Sequence, residues 1–380
     1  MPRKNFRLDP ATLFKFPWSA NNNPHGWIEV TTFCQLACPG CYRGLSLPNP
    51  TRVHEKLEKL KKDVDSLIKI RKIKVLSIAG GEPLLYPQLL DIVRYAKKQK
   101  LLVRMLTNGQ SLTKIRLIEL KKAGVNNVVI HVAQYQNRPG HPKHKEIDTL
   151  REKYCQIFRE VQGVELSFIM TTYDHNFKQI PQILTSYKQN SDIVNHAYFT
   201  LFRDAFFKNE KNKKDTNISL ADMAKTINKT YQIKPCAYLG KTRNPKGISW
   251  LFYVAILHQN RIIGHLDSKF FAKLHSIFYK NGYYYFPVDG NKIQLFKFLK
   301  LLKDPTPAKI VLSYLKSIIK NPTSILKPLR IQVLMILNTP QFTQQGWDIC
   351  DGCPDAMLYQ NQLVPSCLLE RIKIGEDIKV

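Results

Sequence analysis

The sequence predicts an α/β fold in which a parallel sheet curls into a partial (βα)6 barrel of TIM-like form, followed by a C-terminal extension. Six apolar runs of strand length occur, and each of the first five is followed by a stretch with helical periodicity, whereas the helix of the sixth unit is not clearly marked. The runs are continuously apolar more than alternating, which is typical of parallel strands covered by helices on both faces. Because parallel crossovers are right-handed, such a series curls into an open or closed barrel.

The first unit has the clearest pattern. GWIEVTT (26–32) reads as a strand, and the stretch 53–70 reads as an amphipathic helix whose apolar residues recur every three or four positions. The later strands are predicted at 74–80, 101–107, 125–132, 164–172 and 196–202, and the later helices at 87–99, 112–123, 145–162 and 176–189. In such barrels the chemistry collects at the carboxyl ends of the strands.

Four regions follow from this pattern. Residues 1–25 form an N-terminal extension and residues 26–205 form the barrel. Residues 206–345 are expected to be a linker and substrate region, because 203–245 is polar and rich in lysine while 246–340 reads as irregular and aromatic-rich. Residues 346–380 hold three cysteines and form a separate C-terminal segment.

The composition predicts a cytoplasmic protein. The chain has 380 residues, of which 44% are hydrophobic and 23% charged, and its first twenty residues are polar and interrupted by cations. No apolar run approaches the ~20 residues of a membrane-spanning helix. Because cytoplasmic thiols stay reduced, the eight cysteines favour metal or redox chemistry over disulfides.

The net charge of +29 has two readings. A strongly basic chain is consistent with binding to nucleic acid or to an anionic membrane. Lysine supplies most of the charge, so the simpler reading is a solvated lysine surface. We favour the simpler reading, which makes nucleic acid the lesser expectation among partners.

Three cysteines, Cys34, Cys38 and Cys41, lie in one loop directly after the first predicted strand. Thiolates at this spacing can bind three irons of a cubane cluster and leave the fourth iron open. A zinc site would need a fourth ligand, and the nearest histidines, His25 and His54, belong to flanking elements. Structural thiols without a metal are the remaining alternative.

The chain resembles the radical S-adenosylmethionine (radical SAM) enzymes. The resemblance rests on CxxxCxxC after the first strand and Gly-Gly-Glu-Pro after the second, and it covers about residues 26–205. It implies a reducible [4Fe–4S] cluster on Cys34, Cys38 and Cys41 whose open iron binds SAM. It also implies reductive cleavage of SAM to a 5′-deoxyadenosyl radical, hydrogen abstraction from a substrate, and an electron donor such as flavodoxin or ferredoxin.

The same resemblance implies further contacts to SAM. Gly80, Gly81 and Glu82 match the edge whose backbone meets the methionine amino group, and glycine is required where a backbone approaches a ligand closely. Asn108 lies in a matching Thr-Asn-Gly turn after the third strand. On the fourth strand, His131 or Gln134 is expected to contact the ribose, although His131 could equally be a core histidine.

One position departs from the family pattern. The residue before the third cysteine is commonly aromatic in these enzymes and packs near the adenine. Here it is Gly40, with Tyr42 just beyond the cysteine. The sequence therefore predicts that backbone atoms replace the aromatic contact.

The C-terminal segment contains Cys350, Cys353 and Cys367, with a predicted hairpin between the last two. The spacing resembles the auxiliary [4Fe–4S] site of radical SAM enzymes with a SPASM or twitch segment, and zinc is the alternative. Cys236 is a candidate fourth ligand, or else a packing residue. Cys155, in a predicted helix, is expected to be a buried small hydrophobe.

The substrate is not encoded in a motif, so a peptide, a lipid-like molecule and a small metabolite are all consistent with the sequence. The stretch 308–320 combines an apolar face with lysines and precedes an apolar VLMIL, which predicts either peripheral contact with an anionic membrane or packing on the barrel. A non-catalytic iron–sulfur electron carrier and a zinc-bound nucleic-acid-binding module are the alternative functions. Neither alternative needs AGGEP and LTNG at successive strand ends.

Overall fold

The computed structural model describes residues 8–46, 50–134, 136–140, 144–206, 215–280, 292–293 and 304–380. After a short strand β1 (Phe14–Lys15), strands and helices alternate. Their order is β2 (His25–Thr31), α1 (Leu57–Arg71), β3 (Val75–Gly80), α2 (Leu89–Lys98), β4 (Leu102–Thr107), α3 (Lys114–Ala123), β5 (Val125–His131), α4 (His144–Val161), β6 (Glu165–Thr172), α5 (Ile180–Gln189) and β7 (Val194–Leu201).

The six strands β2 to β7 pair in chain order and are all parallel. Ile28 of β2 is level with Ile78 of β3, which is level with Met105 of β4. All three side chains are buried beneath the helices. The predicted fold class is confirmed, because six strand–helix repeats build a parallel sheet with apolar strands throughout.

The predicted start of the first helix at residue 53 is wrong. Helix α1 begins at Leu57, and the residues before it run along the free edge of β2. The Thr32 amide donates to the Val53 carbonyl, and the Glu55 amide donates to the Val30 carbonyl. The helical spacing of the apolar residues extends by chance into a segment whose backbone hydrogen bonds go to the sheet edge.

The chain after β7 adds more elements. These are α6 (Leu220–Tyr231), β8 (Ala237–Gly240), β9 (Ile248–His258), β10 (Arg261–His265), α7 (Ser268–Lys280), β11 (Lys292–Ile293), α8 (Pro305–Lys320), β12 (Leu329–Asn338), β13 (Gln341–Thr343), β14 (Gly346–Asp348), β15 (Ala356–Tyr359), β16 (Gln362–Pro365) and α9 (Leu369–Lys373).

The expectation that 246–340 is irregular is wrong for its longest elements. β12 pairs in parallel with β7, β9 pairs antiparallel with β12, and β8 and then β1 complete the row. Both β9 and β12 are apolar and largely buried, so WLFY and VLMIL are sheet residues. Strands before and after the predicted boundary at residue 205 therefore belong to one continuous sheet. The stretch NGYYYFPVDG (281–290) lies outside the described residues.

Gln332 joins β12 to the barrel. Its amide nitrogen donates to the carbonyls of Tyr187 (2.9 Å) and Val194 (2.8 Å), and its oxygen accepts from the Tyr231 hydroxyl (2.7 Å). The side chain is fully buried, and both amide atoms have partners. One polar side chain thus binds β12 to α5, α6 and β7.

The segment 349–353 lies between the two ends of the sheet. On one side it bonds to the end of β8 and to the residues that follow. The Asp351 amide donates to the Gly240 carbonyl (3.0 Å), and the Thr242 amide donates to the Ile349 carbonyl (3.0 Å). On the other side, the Asn23 side chain donates to the Gly352 carbonyl (2.7 Å), just before β2. The C-terminal cysteines are therefore attached to both ends of an open sheet.

The predicted hairpin between Cys353 and Cys367 is confirmed. β15 and β16 are antiparallel and are joined by Gln360 and Asn361. Both turn residues have positive φ (47° and 62°), as a two-residue hairpin turn requires. No helix in the described part of the chain is long and apolar enough to cross a bilayer.

Candidate active site between two cysteine groups

A cavity of ≈ 310 Å³ opens at the carboxyl ends of the parallel strands. Seven neighbouring strands each contribute at least one residue to its wall, among them Ala79, Leu106, Val129, Ile169, Thr200, Leu337 and Trp250. The sheet therefore wraps around this space. Cys34, Cys38 and Cys41 line the cavity, and so do Cys350, Cys353 and Cys367.

The first three thiols lie close enough to influence one another. Burial raises the pKa of Cys38 to about 12, and the neighbouring Cys41 and Cys34 thiols add to this rise. A compact turn brings two of them together, because the Cys41 amide donates to the Cys38 carbonyl (3.1 Å). Three thiols of this kind are the donor set of a metal cluster, since a bound cation compensates the thiolate charges.

Among the described residues, no three His, Cys, Asp or Glu side chains converge closely enough to ligate a single metal ion. A cubane cluster does not need such convergence, because each thiolate binds a different iron. The three thiols of the first loop, which all line the cavity, are the type of ligand that such a cluster takes.

Gly80 and Gly81 pack against the start of the cysteine loop. A side chain at Gly80 would place its first carbon 2.4 Å from the Thr31 carbonyl oxygen, and one at Gly81 would lie 2.4 Å from the Phe33 carbonyl oxygen. The Gly81 and Glu82 amides donate to those same carbonyls, each at 2.7 Å. The absence of side chains at Gly80 and Gly81 thus lets the backbone of residues 31–33 approach closely. Both glycines also line the cavity.

The Glu82 carboxylate is engaged by neighbouring groups. It is fully buried and accepts hydrogen bonds from the Thr107 hydroxyl (2.5 Å), the Asn108 amide (2.6 Å) and the Leu84 amide (3.1 Å). Burial raises its pKa, against the effect of these donors. Glu82 therefore ties the end of β3 to the end of β4.

Asn108 and His131 extend this set of contacts toward the cavity. The Asn108 amide nitrogen lies 3.5 Å from the Cys34 sulfur and 3.1 Å from the Gln35 oxygen. His131 lines the cavity at the end of β5, with its Nε2 3.4 Å from the Thr171 hydroxyl, and burial lowers its pKa to about 3. Gln134 also lines the cavity.

Arg138 holds the ends of β4 and β5 together, and the sequence analysis missed it. Its guanidinium donates to the Asn108 carbonyl (2.7 Å), the Gln136 side-chain oxygen (2.8 Å) and the His131 carbonyl. The residue is almost fully buried. The family pattern provides no signal for this residue, because it lies in an irregular loop after β5.

Phe202 occupies the space that a side chain at Gly40 would fill. A first side-chain carbon at Gly40 would lie 2.0 Å from the Phe202 ring, and Gly40 has a φ of +69°. The ring packs against Tyr173 at 4.9 Å and lines the cavity. The Tyr173 hydroxyl in turn donates to the Pro39 carbonyl (3.1 Å). An aromatic ring at the end of β7 thus lies beside Gly40, and the sequence analysis missed it.

The C-terminal thiols also form a group. Cys350 hydrogen-bonds to Cys353, which lowers the pKa of Cys350 and raises that of Cys353, and Cys367 adds to the rise at Cys353. Arg71 of α1 donates to the Cys353 carbonyl (2.7 Å). Asp355, also in the cavity wall, has its pKa raised by burial to about 6.

Cys236 is not among the residues that line this cavity in the described part of the chain. Its thiol is fully buried and donates to the Phe252 carbonyl at 3.5 Å. Ligation by Cys236 stays a prediction. Cys155 is a residue of α4 that is buried in the core, as expected for a small packing residue.

An ion-pair network joins the two cysteine segments. Arg43, two residues after Cys41, bonds to Glu29 of β2 at 2.7 Å and to Glu370 of α9 at 2.5 Å. The Arg43 and Glu29 side chains are only 4% and 5% exposed, so neither charge is solvated. Burial raises the pKa of Glu29, and Arg43 opposes that rise.

A parallel α/β sheet around a cavity, with a three-cysteine loop after its first strand and a glycine pair after its second, defines a barrel protein built to bind a cofactor at its carboxyl edge. Residues 28–186 match the family model of the Radical SAM superfamily. The matched stretch, which runs from β2 into α5, is a Radical SAM domain.

Curated relatives share this part of the chain. The AdoMet-dependent heme synthase of Methanosarcina barkeri (strain Fusaro / DSM 804) is 27% identical over 173 residues, covering 45% of this chain and 49% of that protein. The PqqA peptide cyclase of Streptomyces rochei is 35% identical over 103 residues, covering 27% of each chain. The chain thus spans at most about half the length of these relatives.

Solved structures show a similar but distant likeness. Streptococcus suis SuiB bound to S-adenosylmethionine has a TM-score of 0.42 and 16% identity, covering 54% of this chain and 46% of that one. The anSMEcpe enzyme with bound AdoMet has a TM-score of 0.41 and 16% identity, covering 55% and 57% respectively.

The Arg43 network leads to a stability prediction. Replacing Arg43 with Met leaves the buried Glu29 without its ion-pair partner, which we expect to lower the free energy of unfolding by about 3 kcal/mol. The matched control is Arg94→Met, which breaks an exposed pair with Asp91. That change should cost no more than about 0.5 kcal/mol. Urea denaturation of both variants measures the difference, and equal losses would contradict a buried network.

Proposed function

We propose that this chain is a radical SAM enzyme that binds a [4Fe–4S] cluster through Cys34, Cys38 and Cys41, cleaves SAM reductively and abstracts a hydrogen atom from a substrate. The observation that carries the proposal is the shared cavity of these three thiols and the Gly80–Gly81 edge. When bound, the cluster would supply an open iron for SAM and the electron that cleaves the sulfonium.

The residues around the cavity have distinct proposed roles. The backbone of Gly80 and Gly81 contacts the methionine part of SAM, and Asn108 holds the cysteine loop in place through Cys34 and Gln35. His131 is kept neutral by burial, so it can exchange hydrogen bonds with the ribose hydroxyls, with Gln134 beside it. Glu82 positions β3 and β4, since its carboxylate is occupied by the chain's own donors.

Phe202 is the proposed adenine contact. Its ring lies against Gly40. Gly40 precedes the third cysteine of the motif, a position that is commonly aromatic in radical SAM enzymes. Tyr173 supports the ring from behind. An aromatic face at this point offers the base a stacking surface of the same kind as a residue on the loop.

A second, auxiliary [4Fe–4S] cluster on Cys350, Cys353 and Cys367 is also proposed. What supports it is the interaction among the three thiols and their place in the same cavity as the first group. A substrate between the two groups would meet a mainly apolar wall that includes Val129, Trp250 and Leu337. We therefore propose that the reacting part is small and apolar, whether it belongs to a peptide, a lipid-like molecule or a small metabolite.

The electron donor is proposed to be a small acidic redox protein of the flavodoxin or ferredoxin kind. The support is electrostatic, because a chain with a net charge of +29 attracts an acidic partner at low ionic strength.

The central test is SAM cleavage. The chain is reconstituted with iron and sulfide under anaerobic conditions, reduced with dithionite and supplied with SAM, and 5′-deoxyadenosine is quantified. We expect Cys38→Ala to abolish its formation, because one thiolate of three is lost, while Cys155→Ala, which removes a core thiol, retains it. Absence of the product in the unmodified chain would favour a non-catalytic iron–sulfur protein.

The auxiliary site is tested by metal counting. Cys353→Ala should lower the bound iron by about four atoms per chain if a cubane lies there. Cys236→Ala in parallel tests the fourth ligand, and an equal loss of iron would assign Cys236 to the cluster. Zinc in place of iron would refute the auxiliary cluster and leave SAM cleavage by the first cysteine group unaffected.

Phe202 is tested by SAM binding to the reconstituted chain. Phe202→Ala should weaken binding about tenfold, since it removes an aromatic surface worth about 1 kcal/mol together with its buried area. Phe342→Ala is the control, because that ring lies outside the residues lining the cavity. Unchanged affinity in Phe202→Ala would return the adenine contact to backbone atoms.

A further inference from the structure

Helix α8 (Pro305–Lys320) packs on the barrel through one narrow face. Ile310 and Tyr314 are 1% and 6% exposed, and the Tyr314 ring meets His258 edge-on at 4.9 Å. Ser317 hydrogen-bonds to His258 Nδ1 at 2.9 Å. Gly264 of β10 leaves room for Ile310, because a first side-chain carbon there would lie 2.6 Å away. These contacts account for the attachment of the helix.

A second face of α8 is apolar and exposed. Leu312, Leu315 and Ile319 follow helical spacing and are 53%, 49% and 79% exposed. The turn after the helix adds Ile325 (59%) and Leu326 (83%). Of the ten exposed large hydrophobic side chains in the described residues, five lie within these fifteen positions. Soluble proteins usually scatter such side chains singly, so this concentration indicates a contact surface.

A third face is basic. Lys309, Lys316 and Lys320 are exposed along the helix beside the apolar stripe, and Lys327 follows the turn. Residues 305–330 contain these four lysines and Arg330 but no Asp or Glu. In the described part of the chain, none of the four lysines forms an ion pair with a carboxylate. The charge of this surface is therefore uncompensated.

We infer that the surface made by Leu312, Leu315, Ile319, Ile325 and Leu326 with their flanking lysines docks on an anionic lipid bilayer. An interfacial helix combines an apolar stripe with a basic flank in this way: the aliphatic side chains enter the acyl boundary, and lysines bind anionic headgroups. A second copy of the chain fits less well, because a symmetric contact would bring the lysine rows of both copies together without intervening carboxylates.

The location suits a docking surface that leaves the cavity free. The turn after α8 leads directly into Leu329 at the start of β12, whereas Leu337 near the end of the same strand lines the cavity. The apolar surface and the cysteine groups therefore lie toward opposite ends of β12. Membrane contact at one end leaves the cavity mouth open to SAM and substrate.

The experiment is flotation of the full reconstituted chain with vesicles of phosphatidylcholine alone and of an equal mixture of phosphatidylcholine and phosphatidylglycerol. Binding should need the anionic lipid and fall at high salt. Ile319→Gln combined with Leu326→Gln should weaken partitioning about tenfold, because two aliphatic groups are lost. Ile115→Gln, which alters an isolated residue that is 72% exposed, should not weaken partitioning.

The lysines are tested separately. Lys316→Gln combined with Lys320→Gln should weaken partitioning about tenfold, while Lys98→Gln combined with Lys153→Gln should have a much smaller effect.

Three outcomes overturn the proposal. Equal binding to both vesicle types, or equal effects of the surface variants and their controls, would remove the anionic membrane as partner. A dimer in light scattering that Ile319→Gln dissociates would assign the surface to a second copy. A loss of more than about 1 kcal/mol in the free energy of unfolding of Ile319→Gln, measured by urea denaturation, would assign the surface to another part of this chain, because substitution of an exposed side chain normally changes stability by less. SAM cleavage measured on the same variants is expected to stay unchanged, so this test is independent of the proposed function.

Discussion

The site depends on one constraint, the closure of an open sheet by the C-terminal cysteine segment. The row of strands from β2 to β1 ends in two separate edges, and unpaired backbone groups at such edges need partners. On the β8 side, residues 349–353 bond to the backbone of Gly240 and Thr242. The edge of β2 bonds to residues 53–55, and the carbonyls of Gly352 and Cys353 accept from the side chains of Asn23 and Arg71 close to β2. Because the same residues include Cys350 and Cys353, closing the barrel also places the second thiol group in the wall of the cavity.

Two buried carboxylates then set the relative positions of the loops at the carboxyl edge. Glu82 is satisfied by hydroxyl and amide donors of β4, so it fixes two neighbouring strand ends. Glu29 is satisfied by Arg43, which also reaches Glu370. Buried charges of this kind contribute little net stability, but each accepts only a narrow geometry. Here the two carboxylates fix the positions of the loops, because a shift of either loop would leave a buried charge without its hydrogen-bond or ion-pair partners.

The parts of the fold that sequence could predict are those encoded locally. The six strand–helix repeats follow from periodicity within short windows, and the Gln360–Asn361 turn follows from a polar pair between apolar runs. The failures concern distant partners. β9 and β12 read as irregular because their pairing joins residues about eighty positions apart. Val53 fits a helical pattern, yet its carbonyl is taken by the edge of β2.

In the candidate site, too, residues in short local motifs could be predicted, whereas contacts between distant positions could not. The cysteines, the glycine pair and Asn108 could be predicted because they lie in short motifs of the family that the sequence resembles. The packing of the Phe202 ring beside Gly40 could not be predicted, because the two residues are 162 positions apart in the sequence. The glycine shows that the loop lacks an aromatic side chain at this position, but the sequence does not show which strand end brings a ring beside it. In the structure that strand is β7, because Phe202 directly follows its last residue, lines the cavity and packs against Tyr173.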